Sequence, residues 1–192
     1  MYDLITSSNW MQFGYWTVAI FAVVAAWIDG TELKVPNKLT LPFIAAGWIF
    51  TMIAFELQGD AWYYGLGYSL LGTAVGCLTL LPFYAIGGMG GGDVKMMMGI
   101  GAWILATNVF YSFCVGAIVG GVLAVGMAIH AGEWKKHKDQ FFYIFNEIMT
   151  IRNPEVLAEI AGERKSTMRL LPYGIPMAIG TLIFMGWEGM LI

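Results

Sequence analysis

Two aspartates, Asp29 and Asp93, are the residues whose type and setting could do chemistry. Asp29 follows the apolar pair Trp27-Ile28, and Asp93 ends the run Gly90-Gly91-Gly92 and opens a new apolar stretch at Val94. A carboxylate at the edge of a hydrocarbon layer is costly and is a functional candidate by default. Taken singly, each has an ordinary reading as a helix-end residue that caps or is solvated. Two of them on one face of a membrane, one within a glycine-rich turn, favour a joint role. When two carboxyls share a site, repulsion pushes their titrations apart. One can stay ionised and take a proton from water, while the other stays protonated and polarises a peptide carbonyl. Aspartic proteases work in this way, without metal, serine, cysteine or histidine.

The neighbours of Asp93 narrow the choice. Five of the six residues from Gly87 to Gly92 are glycine, and glycine permits positive φ and close backbone approach. A substrate strand could lie against such a main chain. A phosphate-binding loop is excluded because no G-K-[S/T] follows, and the dinucleotide spacing G-x-G-x-x-G is not met. Cys77 and Cys114 lie in apolar stretches outside any C-x-x-C pair, which removes a disulfide framework and a zinc site. His130 and His137 have no matching acidic or cysteine partners, so neither a metal nor another cofactor is expected. No basic patch interleaved with aromatics occurs, and nucleic acid is not an expected partner.

The elements that must position these residues are read from composition. Of the 192 residues 58% are hydrophobic and 12% charged, and the mean hydropathy is +0.68. So few charges cannot cover a soluble surface, since ordinary domains carry about 25%. The chain is expected to be an all-α membrane protein forming one domain over residues 1–192. Apolar runs long enough for the hydrocarbon layer fall at 13–28, 39–55, 61–84, 94–106, 109–131 and 171–190. The fourth and fifth, joined, would be far too long for one crossing, so a break is expected near Thr107-Asn108. No Lys or Arg precedes the first apolar run, which argues against a cleaved signal peptide.

Charge placement tests the count of six transmembrane helices. All ten basic residues fall between the first and second runs (Lys34, Lys38), at the start of the fourth (Lys95), or between the fifth and sixth. Six crossings put these three places on one side. The opposite side holds Asp3, Glu56, Asp60 and Glu188. The positive-inside rule then makes the basic side cytoplasmic and both termini external. Asp29 and Asp93 lie at the cytoplasmic boundary. The polar segment 132–168 carries Phe141, Phe145 and Ile148 at helical spacing and reads as a cytoplasmic amphipathic helix on the membrane surface. Pro154 opens a second short helix through Ala161. A solvated connector is the plainer reading of the whole segment.

These residues resemble a known family. Gly90-x-Gly92-Asp93 is similar to the G-x-G-D motif of intramembrane-type aspartic proteases. Asp29-Gly30, followed by Val35-Pro36-Asn37-Lys38-Leu39-Thr40, resembles the first-aspartate motif of type IV prepilin peptidases. Leu171-Pro172-Tyr173-Gly174, continuing through Gly180, looks like their last-span signature. The resemblance covers about Phe21 to Gly180. It departs from the full-length enzymes in lacking their cytoplasmic insert with two C-x-x-C pairs, and is closer to the short, peptidase-only branch associated with Flp/Tad pili (the TadV/CpaA type).

The resemblance implies a peptidase of the inner, cytoplasmic membrane that cuts prepilins or pseudopilins on the cytoplasmic side, with Asp29 and Asp93 catalytic and without methyl transfer. Gly90, Gly91, Gly92, Lys95, Pro36 and Asn37 are the expected supports for substrate or structure. Lys95 reads best as a lysine reaching lipid or solvent, and Pro36 and Asn37 as shaping the turn into the second span. Membrane lipid is the other expected partner. Gly72-x-x-x-Gly76 and Gly116-x-x-x-Gly120 read first as helix packing within the chain. An archaellin or other preprotein peptidase of the same class is the near alternative. An ion-coupled transporter with the aspartates as a relay is the distant one, but acidic residues deep in spans and an internal repeat are both missing.

Overall fold

The computed structural model describes residues 9–32, 35–85, 89–130 and 172–191, together with Thr150, Val156 and Ile160. Among them every regular element is a helix: α1 (Asn9–Glu32), α2 (Asn37–Leu57), α3 (Trp62–Ala85), α4 (Gly91–His130) and α5 (Gly174–Trp187). Four are long and apolar enough to cross a membrane, while α5 is a shorter apolar helix. The amphipathic helix expected within 132–168, including Phe141, Phe145, Ile148 and Pro154, lies outside the described residues.

The 40-residue α4 would reach about 60 Å if it were straight. It is interrupted at Leu105, whose φ of 70° and ψ of 174° are not helical. Before the break, α4 packs on α3: a Cβ on Gly72 would meet the Gly101 carbonyl, and one on Gly76 the Met97 carbonyl. After the break it packs on α5, with Gly116 against Gly180 and Gly120 against Pro176. Asp93, early in α4, acts electrostatically on Tyr173 at the start of α5. Gly120, late in α4, faces Pro176, less than one turn into α5. Both ends of this stretch therefore reach the same end of α5, and the chain doubles back at Leu105. The break falls two residues before the expected Thr107-Asn108. Asn108 is instead buried within the second helical half.

Lipid tails are as apolar as leucine, so helices in a membrane associate through close packing and interhelical hydrogen bonds. Both glycine pairs of the sequence serve intramolecular crossings of this kind. Ser69 Oγ donates to the Ala102 carbonyl at 2.6 Å, within the turn that the break at Leu105 disturbs. Trp48 Nε1 donates to Thr73 Oγ1 at 3.0 Å, and Trp103 Nε1 to the Phe43 carbonyl at 3.0 Å. The Trp103 ring stacks between Phe43 and Phe50. The first half of α4 is the central helix: Met96, Met97, Ile100, Ala102 and Ile104 are fully buried.

Helix α2 ends in a turn fixed by its hydrogen bonds. Gly59, at φ 87°, follows the helix, its N–H donates to the Glu56 carbonyl, and the Asp60 N–H reaches the Phe55 carbonyl. This is the Schellman pattern, which satisfies the last carbonyls of the helix. The Glu56 carboxylate then accepts from the Trp62 N–H at 3.1 Å and starts α3.

Candidate active site

Helix α1 is apolar around its whole circumference, yet only one stripe of it is inward. Met11, Tyr15, Val18, Ala22, Ala25 and Asp29 are buried and recur every three or four residues, while Trp16, Ile20, Val23 and Trp27 are exposed. Asp29 is the last member of the inward stripe, with 3% exposure. Its Oδ2 accepts a hydrogen bond from the Gly174 N–H at 2.7 Å. Gly174 is the first residue of α5, and its N–H is one of the donors that a helix start leaves unsatisfied. Asp29 thus caps α5 from another helix. A donor–acceptor distance of 2.7 Å suits a charge-assisted bond.

Asp93 is held by its own helix. Gly90 precedes α4, and Asp93 is the third helical residue. The Asp93 Oδ2 accepts from the Gly90 N–H at 3.2 Å, and the Asp93 N–H reaches the Gly90 carbonyl at 3.3 Å. A carboxylate at the third position reaching back to the residue before the helix is one half of a capping box. The G-x-G-D spacing therefore has a local physical meaning: it places the acid where it closes the first turn. Asp93 is 7% exposed.

Asp29 binds the start of α5, and Asp93 is within electrostatic reach of the same dipeptide. Gly174 binds Asp29, and Tyr173 lies close enough to Asp93 for the carboxylate charge to act on its phenol. Successive Cα atoms are about 3.8 Å apart, so the two acids converge on the start of α5. Gly174 has no space for a side chain: a Cβ would sit 2.8 Å from Asp29 Oδ2 and 2.9 Å from Asp29 Cβ.

Most of the remaining candidates gather at the same end. A Cβ on Gly92 would lie 2.8 Å from the Val35 carbonyl, so the first turn of α4 presses on the segment that follows α1. One turn on, Lys95 Nζ donates to Asn37 Oδ1 at 2.8 Å. Lys95 therefore has a protein partner where lipid or solvent was expected. The Pro36 carbonyl accepts from Leu39 and Thr40 N–H and starts α2. Gly90 donates to Asp93, while Gly91 is turned toward the Tyr84 ring, 3.3 Å from where its Cβ would be. Tyr173 and Gly174 were not expected as site residues. Their signal was present in the Pro172-Tyr173-Gly174 sequence, but nothing in that sequence alone shows what it contacts.

Apolar helices long enough to cross a membrane, with two buried carboxylates brought to the start of one helix, define an all-helical protein of membrane type with a paired-acid site. The Type IV leader peptidase family model matches residues 16–125, over half of the sequence, and the chain belongs to that family. Three curated relatives carry the name "Prepilin leader peptidase/N-methyltransferase". The one from Neisseria gonorrhoeae is 27% identical over 132 residues, covering 65% of this chain and 44% of the relative. The one from Xanthomonas campestris pv. campestris is 30% identical over 122 residues, 60% of this chain and 40% of the relative. The one from Bacillus subtilis is 36% identical over 107 residues, 51% of this chain and 39% of the relative. The chain thus spans about two fifths of the length of these relatives. No solved structure gives a significant match.

Proposed function

We propose that this protein is a membrane aspartic endopeptidase that removes the leader peptide of type IV prepilins, of the Flp/Tad type, at the cytoplasmic face of the inner membrane. The observation that carries this reading is the convergence of Asp29 and Asp93 on Tyr173-Gly174. One carboxylate takes a proton from water, and the resulting hydroxide attacks the scissile carbonyl carbon. The other gives its proton to the carbonyl oxygen. Collapse of the tetrahedral intermediate breaks the C–N bond: the leaving amine takes a proton from the acid that received one from water, and a hydroxyl of the intermediate returns its proton to the other carboxylate, restoring the starting pair. Gly92, Lys95 and Asn37 hold the two acid-bearing segments together, Gly90 closes the first turn around Asp93, Pro36 starts α2, and Gly91 packs the α4 start against α3.

Six crossings are proposed for the bundle, with both termini external. The doubling back of α4 at Leu105 supports this count, because it turns one helical run into two antiparallel halves. The distribution of Lys and Arg supports the orientation. A prepilin is cut just before its apolar helix, so the scissile bond would arrive at the membrane surface where the acids are.

Peptidase activity alone is proposed, without methyl transfer, since the two cysteines of the chain form no C-x-x-C pair. Co-expression with a candidate prepilin tests the reading. A mobility shift is expected with the wild type, and none with Asp29→Asn or Asp93→Asn. Processing retained in both variants, or abolished by a metal chelator, would overturn the mechanism.

A further inference from the structure

Resting on that reading, we propose that Gly174 is a positioning residue of the peptidase site, the donor at the start of α5 that fixes where Asp29 sits relative to Asp93. Asp29 and Asp93 stand on different helices, α1 and α4, so something must fix their relative place. The start of α5 binds Asp29 directly, and its Tyr173 is within electrostatic reach of Asp93. The Gly174 N–H binds Asp29 at 2.7 Å in a buried setting. The neighbouring side chain, Tyr173, is half-buried beside Asp93.

Two properties of Gly174 are needed at once. Its N–H must be free to leave its own helix, which holds for a first helical residue. Its α-carbon must also be bare, because the atoms nearest an added Cβ are Oδ2, Cβ and Cγ of Asp29, at 2.8–3.0 Å. A methyl group there would push the Asp29 side chain itself. Helix α5 is locked further along by Gly180 against Gly116, so the N-terminus cannot retreat without undoing that crossing. The motif residue therefore sets where one catalytic carboxylate sits, without touching the substrate.

The test uses the full chain in lipid nanodiscs with a synthetic peptide spanning a prepilin cleavage site. Gly174→Ala should lower kcat by about 10²-fold, the cost of misplacing a reacting group by an ångström or so, and leave KM within about twofold. Should Gly174→Ala fail to fold, replacing Gly174 by glycolate, which keeps the size and removes only the N–H, should still lower kcat with KM preserved. Tyr173→Phe keeps the ring and removes only the phenol oxygen. A kcat loss at constant KM would extend the positioning role to that phenol, and wild-type kinetics would confine that role to Gly174. Wild-type kcat in Gly174→Ala or in the glycolate protein would overturn the inference. So would losses confined to KM or to thermal stability. Wild-type enzyme is assayed alongside with Asp29→Asn. If the wild type is inactive, or the Asn variant active, the peptidase reading fails before the positioning role is at issue.

Discussion

Lys95 Nζ lies 2.8 Å from Asn37 Oδ1, joining residues 58 positions apart. The bond ties the first turn of α4, which carries Asp93, to the start of α2, which follows Asp29 after a short connection. It is solvent-exposed, so a modest contribution is expected, about 0.5–1.5 kcal/mol. Lys95→Met and Asn37→Ala should each lower kcat/KM several-fold, and the double variant should lose little more than either. A double-mutant cycle checks this. Fully additive losses would mean that the two side chains act separately.

The Ser69 bond to the Ala102 carbonyl is predicted to matter for stability and not for chemistry. Ser69 is fully buried between α3 and α4. Ser69→Ala should destabilise the bundle by about 0.6–2 kcal/mol, the range for interhelical hydrogen bonds in membranes, with kcat unchanged in the folded fraction. Thermal unfolding in detergent measures it. An unchanged midpoint would show that the carbonyl has another donor.

Leu105 holds a positive φ without being glycine. Such residues cost about 1–3 kcal/mol, and a β-branched side chain is worse placed there. Leu105→Val should therefore cost more than Ile104→Val, for which about 0.5–1.5 kcal/mol is expected from volume alone. Both positions are nearly fully buried, so paired unfolding curves isolate the backbone effect. Equal losses would place the strain elsewhere.

Much of the candidate site was readable from residues 29–40 and 90–95, because both acids sit in locally patterned sequence. The G-x-G-D spacing acts within one helical turn, where a capping interaction depends only on near neighbours. The join between the two acids was not readable. It runs through Gly174, 145 residues after Asp29, and no periodicity links them. The inward face of α1 was equally hidden, since Trp16, Ile20 and Val23 are as apolar as the Met11, Val18 and Ala22 that face inward. Length alone predicted that α4 must break. It did not say that an apolar residue would break it, because the polar Asn108 was the more conspicuous candidate. The contact of Lys95 was hidden for a related reason: a lysine at a helix start reads as reaching lipid or solvent until Asn37 is beside it.

The proposed six-crossing arrangement predicts which ends of the helices face the cytoplasm. Single cysteines in a Cys77→Ser, Cys114→Ser background, placed at Lys38 and Thr150, should resist a membrane-impermeant thiol reagent in intact cells. One at Asp60 should react. Labelling at Lys38 from outside would reverse the orientation, and labelling of Lys38 and Thr150 on opposite sides would change the count.

Asp29 and Asp93 are proposed to act as one water-activating pair. The most direct measurement is cleavage of a prepilin-derived peptide by purified, chelator-treated protein in nanodiscs, comparing wild type with Asp29→Asn and Asp93→Asn. The wild type should cut at a single bond before the apolar segment. Each variant should unfold at the wild-type temperature and lose at least about 10³-fold in kcat, as expected for removal of one member of a unit. A folded single variant that retains wild-type cleavage would contradict the paired-acid account.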